Sequence, residues 1–287
     1  MKASLAHLPA TKQVEIARIT EIIREVVKPE MIILFGTYAK RTYVERQYIT
    51  GDGIRYENND QYDFLVVTNE NPEKTHIQER LIMERTDRHA PPVNLEIHDI
   101  GYINRGLETG EFFFVDIVTG GIALYDTGRV QFVSPKELTG TERKEKAQRY
   151  FDTWFPQAKT FLKGSRFYKN ELHRKIAAFE LHQAAESLYY ATLLVFTDYK
   201  PKTHNLWKLR KKAKPNSEEL FSVFRAETDQ NEAHLFDLLK RGYVDARYRS
   251  DYLITDEELS ILIKRVDLMM PIAEGICKDK IASFDKA

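Results

Sequence analysis

The sequence predicts an α+β chain, with a mixed sheet and flanking helices in the first half and an all-α helical bundle in the second. Two observations predict it. Up to about residue 135, short apolar runs ended by Gly or Pro alternate with amphipathic stretches. From Glu142 onward, Gly and β-branched runs thin out and a helical period takes over. Residues 134–141 carry Pro, Gly and polar side chains between these regimes, which sets the expected domains at 1–138 and 139–287.

Each element has its own warrant. Residues 12–27 place Ile16, Ile19, Ile22, Ile23, Val26 and Val27 near a 3.6 period, and Pro29 ends the helix. Residues 31–35 are a strand-type apolar run stopped by Gly36, and 37–43 begin a second helix. Residues 48–60 are polar, contain Gly51 and Gly53, and read as a loop or small hairpin insertion. A buried strand is expected at 64–67 and a helix at 72–88. After Pro91-Pro92 the chain alternates, with Val93, Leu95 and Ile97 on one face and Asn94, Glu96 and His98 on the other. Apolar runs at 112–117 and 122–125 follow, with Gly120-Gly121 between them. The first of these, with three consecutive Phe, is open between core strand, domain interface and dimer surface.

The second half yields helices at 142–163, kinked or broken at Pro156, then at 168–196, 206–212, 217–224, 232–248 and 256–277. Pro201 and Pro215 mark breaks, and Thr255 caps the acidic start Asp256-Glu257-Glu258. Ala185, Leu188, Tyr189 and Leu193 fit a packing face.

Composition narrows the function. The 287 residues are 43% hydrophobic and 30% charged, with 43 Lys and Arg against 43 Asp and Glu. That balance argues against non-specific nucleic-acid binding by the whole chain. Cys277 stands alone, so no intramolecular disulfide forms and a cytoplasmic protein is expected. Neither a secretion signal nor a run of ~18 apolar residues is evident, so no membrane partner is expected. A homo-oligomer is left open.

A tight Gly turn toward basic side chains, beside a strand carboxylate, suits a nucleoside triphosphate and its metal. Gly36 and Thr37 offer donors to phosphate, Lys40 and Arg41 neutralise it, and Asp63 sits at the mouth of a strand. Glu96, or His98, on the other strand's non-core face completes the Mg²⁺ coordination. The catalytic and metal expectation is therefore Asp63 with Glu96.

These residues resemble the nucleotidyltransferase superfamily of the DNA polymerase β type, which carries Gly-Ser-x-Ala-Arg-Gly and then Ser-Asp-x-Asp. Gly36, Thr37 and Ala39 match the first motif, and Lys40 stands where the family has Arg. Arg41 replaces the final Gly. Asp63 matches the second Asp, Gln61 occupies the place of the first, and Asp60 that of the Ser. The resemblance implies ATP or another triphosphate as substrate, with Mg²⁺, and transfer of a nucleoside monophosphate to a hydroxyl. A neutral amide does not replace a carboxylate bridging two metal ions, so Gln61 also implies the alternative of a catalytically impaired nucleotide-binding or interaction module. Two further alternatives are an aminoglycoside nucleotidyltransferase, with Glu108, Glu111 and Asp116 available for a polycation, and a toxin–antitoxin component.

The second half resembles the HEPN family, the higher eukaryote and prokaryote nucleotide-binding domain. The resemblance rests on LHQAAESLYYATLL, on Thr203-His204-Asn205-Leu206 before a basic helix, and on YVDARYRSDY. RNA-cleaving members carry an Arg and a His separated by about four to six residues, for general acid–base work on a phosphate. Here Arg247 is followed at those places by Tyr252, Leu253 and Ile254, so no ribonuclease activity is expected. Arg247 and Arg249 remain candidates for phosphate, against the simpler expectation of pairing with Asp245 or Asp251. The run Lys208-Leu209-Arg210-Lys211-Lys212-Ala213-Lys214, beside Trp207, is the candidate nucleic-acid contact, against that of a solvated helix face. His173, His182, His204 and His234 lack zinc-ligand spacing.

Overall fold

The computed structural model describes residues 4–40, 42–43, 45–49, 55–59, 61–72, 74–86 and 91–286. The chain divides into two compact units, Met1–Glu137 and Leu138–Ala287.

The first unit is built on a four-stranded mixed sheet of order β5-β4-β1-β6, from β1 (Met31–Phe35), β4 (Tyr62–Thr68), β5 (Val93–Asp99) and β6 (Ile122–Asp126). β1 runs antiparallel to β4 and β6, and β4 runs parallel to β5. Period-two alternation divides the side chains between two faces. One face carries Ile32, Leu34, Phe64, Val66, Leu95 and Ile97. The isoleucines of α1 (Ala10–Val27) pack there, with Ile82 of α3 (Thr75–Arg85). The expected insertion contains a two-stranded antiparallel hairpin, β2 (Glu45–Ile49) with β3 (Arg55–Asn59); the turn between them lies outside the described residues. The expected end of the third helix, Arg88, also lies outside them.

Two expectations in this unit change. The helix after Gly36 is shorter than 37–43: α2 spans Gly36–Lys40. The Phe-rich run is not a strand. It forms α5 (Phe112–Gly120), following α4 (Ile100–Glu108). Helical geometry turns successive residues by about 100°, so three adjacent Phe cannot share one environment. Phe114 and Ile117, three apart, are buried, whereas Phe112 is exposed.

The second unit is all helical. Its frame is α6 (Gly140–Asn170), α7 (Arg174–Thr197) and α12 (Asp256–Ser283). Between α7 and α12 lie α8 (Leu206–Ala213), α9 (Glu218–Ser222), α10 (Gln230–Arg241) and α11 (Asp245–Tyr248). Of the kink or break expected at Pro156, the break does not occur, since α6 continues through it. Proline removes one i→i−4 bond, and the remaining turns and the packing of so long a helix tolerate that loss. Nor does the first helix stop before Gly164. A Cβ there would stand 2.8 Å from a Glu180 carboxylate oxygen, so this glycine marks close packing between α6 and α7. Ser165 ties the same seam by donating to the Ala177 carbonyl at 2.8 Å. The chain reverses instead at 171–173, where Leu172 takes a φ of 62°.

The expected 232–248 helix is two helices. Gly242 lies between them, where any Cβ would meet the Ala178 carbonyl oxygen at 2.7 Å. Thr255 caps α12 through the full reciprocal box with Glu258, as its sequence predicts. Ala185, Leu188, Tyr189 and Leu193 are all core.

Arg210 is the largest buried polar group here, 1% exposed. Its Nη1 and Nη2 donate to the two Glu227 oxygens at 2.6 and 2.9 Å, and Nε donates to the Phe221 carbonyl at 3.0 Å. Nη2 also donates to the Phe224 carbonyl. The guanidinium thereby holds α8 against the chain around α9. Arg210→Ala should lower stability by roughly 3 kcal/mol, because removing one partner strands the others. Urea unfolding checks this, with Lys208→Ala, expected within about 0.5 kcal/mol of wild type, as the control. Cys277 is fully buried and burial pushes its thiol up to about 12. Ellman's reagent should therefore leave native protein unlabelled and titrate one thiol after denaturation; rapid labelling of the native chain would contradict the packing.

Candidate functional site

Phe35, the last residue of β1, lies opposite Asp63 in β4, and Asp63 lies opposite Asn94 in β5. This row brings the glycine turn and the carboxylate together. Gly36 has a φ of 71°, and a Cβ on it would stand 2.4 Å from Asp63 Oδ2. Any side chain there would be strained and would displace the carboxylate.

Asp63 is buried, yet its charge is answered. Gln61 Nε2 donates to Oδ1 at 2.9 Å, and Asn94 Nδ2 donates to the same oxygen at 2.8 Å. A carboxylate only accepts, so each amide must present its nitrogen. Two such charge-assisted bonds are what make the burial tolerable.

The remaining expected residues scatter. Glu96 lies two residues farther along β5, opposite Leu65, and is buried. Its Oε2 stands 3.5 Å from His98 Nε2. His98 in turn stacks on Tyr102 at 4.8 Å and meets Phe114 edge-on. The Tyr102 hydroxyl is pushed up, first by burial and then by the charges of Glu111 and Glu96. Glu96 thus faces His98, whose ring packs on Tyr102 of α4 and Phe114 of α5, and Asn94 takes the place beside Asp63. Lys40 reaches across to α5, where Asp116 accepts from its Nζ at 2.8 and 2.9 Å. Thr37 is the second residue of the five-residue α2, too short for much helix dipole. Arg41 and Asp60 lie outside the described residues.

Among the described residues, the donor set does not fit a two-metal centre. Asp63 stands between two amides where such a centre needs neighbouring carboxylates. Among the described residues, no group of three or more His, Cys, Asp or Glu side chains is placed to hold a metal ion. Each lost carboxylate forfeits an attraction on the order of 4 kcal/mol per unit charge pair at ~4 Å in an effective dielectric of ~20, and about twice that for a divalent cation. Sequence inspection assigned Asn94 only to the non-core face; the register of β4 against β5 is what sets it against Asp63.

In the helical unit, two expectations separate. Arg249 is spent on Asp251, with both contacts at 3.0 Å, and Asp245 pairs with Arg241 at 2.6 Å. Arg247 pairs with neither. Its Nε donates to the Tyr243 carbonyl at 2.5 Å, and its guanidinium lies over Tyr243, Phe179 and Tyr248. Tyr252 is buried and donates to the Leu238 carbonyl, so it is a core residue.

Of the basic run, Arg210 is core. Burial pulls the Lys211 ammonium below its ordinary value, and Lys214 covers Phe221. Trp207 packs toward Phe236. This stretch therefore presents less charge to solvent than its sequence suggests.

The HEPN domain family model matches residues 151–276. The helical unit carries a HEPN domain. Its match spans α7 to α11 with most of α6 and α12. The unit before it has a generic nucleotidyltransferase-like architecture, a mixed sheet with a glycine turn beside a strand Asp. No curated protein matches the chain. No described helix is long and apolar enough to cross a membrane.

Gly36→Ala should destabilise the first unit by about 1–2 kcal/mol from backbone strain alone, and by more once Asp63 is displaced. A urea midpoint equal to wild type would show that the turn tolerates a side chain and that the close approach to Asp63 is unimportant.

Proposed function

We propose that the nucleotidyltransferase-like unit is a catalytically impaired nucleotide-binding module, attached to a HEPN domain. The observation that carries this is the pair of amides on Asp63. Metal-assisted transfer needs carboxylates that neutralise two cations and hold the attacking and leaving oxygens in line. Here Asp63 Oδ1 accepts from two neutral amides, and Glu96 is turned toward His98. Phosphate binding needs less. Lys40 is half-exposed, and its surface pair with Asp116 is weak enough to exchange for a triphosphate.

Calorimetry with ATP and GTP, with and without Mg²⁺, tests this. Wild type should bind with an affinity that Mg²⁺ leaves unchanged, and should label no acceptor. The double variant Gln61→Asp, Asn94→Asp should make binding Mg²⁺-dependent. Wild-type binding that requires Mg²⁺ and disappears in Asp63→Ala would establish an active metal site and overturn the reading. Absence of any triphosphate binding would remove the nucleotide from it.

A further inference from the structure

The helical unit holds a cavity of about 340 Å³, lined by residues 172–176 at the start of α7 and by residues 252–254, which lead into α12. That volume lies at the small end of the range for small-molecule sites, roughly 300–1,000 Å³.

Three apolar side chains of the lining face water instead of the core. Leu172 is 70% exposed and Leu253 78%, and Ile176 is exposed as well. Along 252–254, Tyr252 and Ile254 are buried, and Leu253 between them is turned out. Leu172 closes the turn after α6. Its N–H donates to the Lys169 carbonyl at 3.0 Å, and the His173 N–H donates to the Tyr168 carbonyl at 2.8 Å. Such a turn needs a positive φ and ordinarily takes Gly or Asn. Leu172 accepts that φ, 62°, with the strain it carries for a branched side chain, and gains little burial in return. An apolar ligand lying against it supplies the missing burial.

The lining contains three basic side chains, His173, Arg174 and Lys175, and no acid. Arg174 is answered from outside the cavity, by both oxygens of Asp256 at 2.6 and 2.8 Å. Lys175 is not. Its Nζ donates to the Arg249 and Ser250 carbonyls at 2.7 and 3.4 Å, and no described carboxylate pairs with it. Those carbonyls hold the ammonium beside the chain that enters the 252–254 wall. An ammonium has three donors, so its charge and one N–H remain for a ligand.

We propose that this cavity binds a small aliphatic monocarboxylate. The tail lies against Leu172, Ile176 and Leu253, and the carboxylate accepts from Lys175. The site is independent of the nucleotide reading of the first unit. It discriminates on both ends of the ligand: a cation with the same tail meets basic side chains, and a carboxylate without a tail covers no leucine.

The test is a titration of the ¹⁵N-labelled full-length chain with octanoate, below its micelle-forming concentration. Octanol, octyltrimethylammonium and acetate are run at matched ionic strength. Octanoate should move the amides of 172–176 and 252–254 saturably. Octanol should bind about fivefold more weakly, and the cation and acetate should give no saturable shift there. Lys175→Met keeps the aliphatic stem and removes the charge; it should lower octanoate affinity to that of octanol and leave octanol unchanged. Leu172→Gly relieves the backbone and should keep the urea midpoint, while weakening octanoate and octanol alike by about tenfold. Equal binding of octanoate and octyltrimethylammonium would reduce the cavity to an apolar patch and overturn the proposal. So would octanoate binding that Lys175→Met or Leu172→Gly leaves unchanged, a linear response, or saturable shifts confined to other parts of the chain.

Discussion

Each unit of this chain buries charge, and every buried charge dictates what must stand around it. A carboxylate moved out of water costs several kcal/mol unless donors reach it. Asp63 is answered by Gln61 and Asn94, Arg210 by Glu227 and two backbone carbonyls, and Glu186 by His204. These three arrangements fix the strand row behind the glycine turn, the docking of α8, and the orientation of the loop before it. Each also removes a residue from some other use. The Arg210 that makes the basic run look dense is held inside the bundle.

The same constraint separates architecture from activity. A nucleotidyltransferase-like sheet with its glycine turn is retained, and the row that would carry metal is amide, carboxylate, amide. The substitution is internally consistent. With aspartates at both 61 and 94, three like charges would crowd one small volume unless a cation joined them. With amides, the row is satisfied without one. Stability and metal-dependent chemistry ask for different residues at the same places.

In the helical unit, the sequence pattern and the spatial arrangement give different pictures of the histidines. A search for His a few residues beyond Arg247 finds Tyr252, which is core. His204, before α8, and Arg247 each pack against the ring of Tyr243. Local spacing cannot show this, because the contact depends on how the segment before α8 and the one before α11 meet over α7.

Much of the fold was legible in the chain itself. Strand and helix periods, the Thr255 capping box, the change of character near residue 140 and the packing face on α7 follow from local preferences that tertiary contacts did not overrule. Gly36 beside Asp63 was legible too, because only glycine takes that backbone and that close approach. Other features belonged to the tertiary structure. Gly164 looks like a helix end, but α6 runs through it, and Gly242, inside an expected helix, ends α10 where the Ala178 carbonyl approaches too closely for a side chain. Pro156 looks like a break, but a long packed helix runs through it. The Phe run reads as a strand by apolar content and becomes a helix because Phe114 and Ile117 find one core. Register, finally, set Asn94 and not Glu96 beside Asp63. A shift of two residues along β5 leaves the hydrophobic alternation unchanged, so only the pairing of strands could decide it.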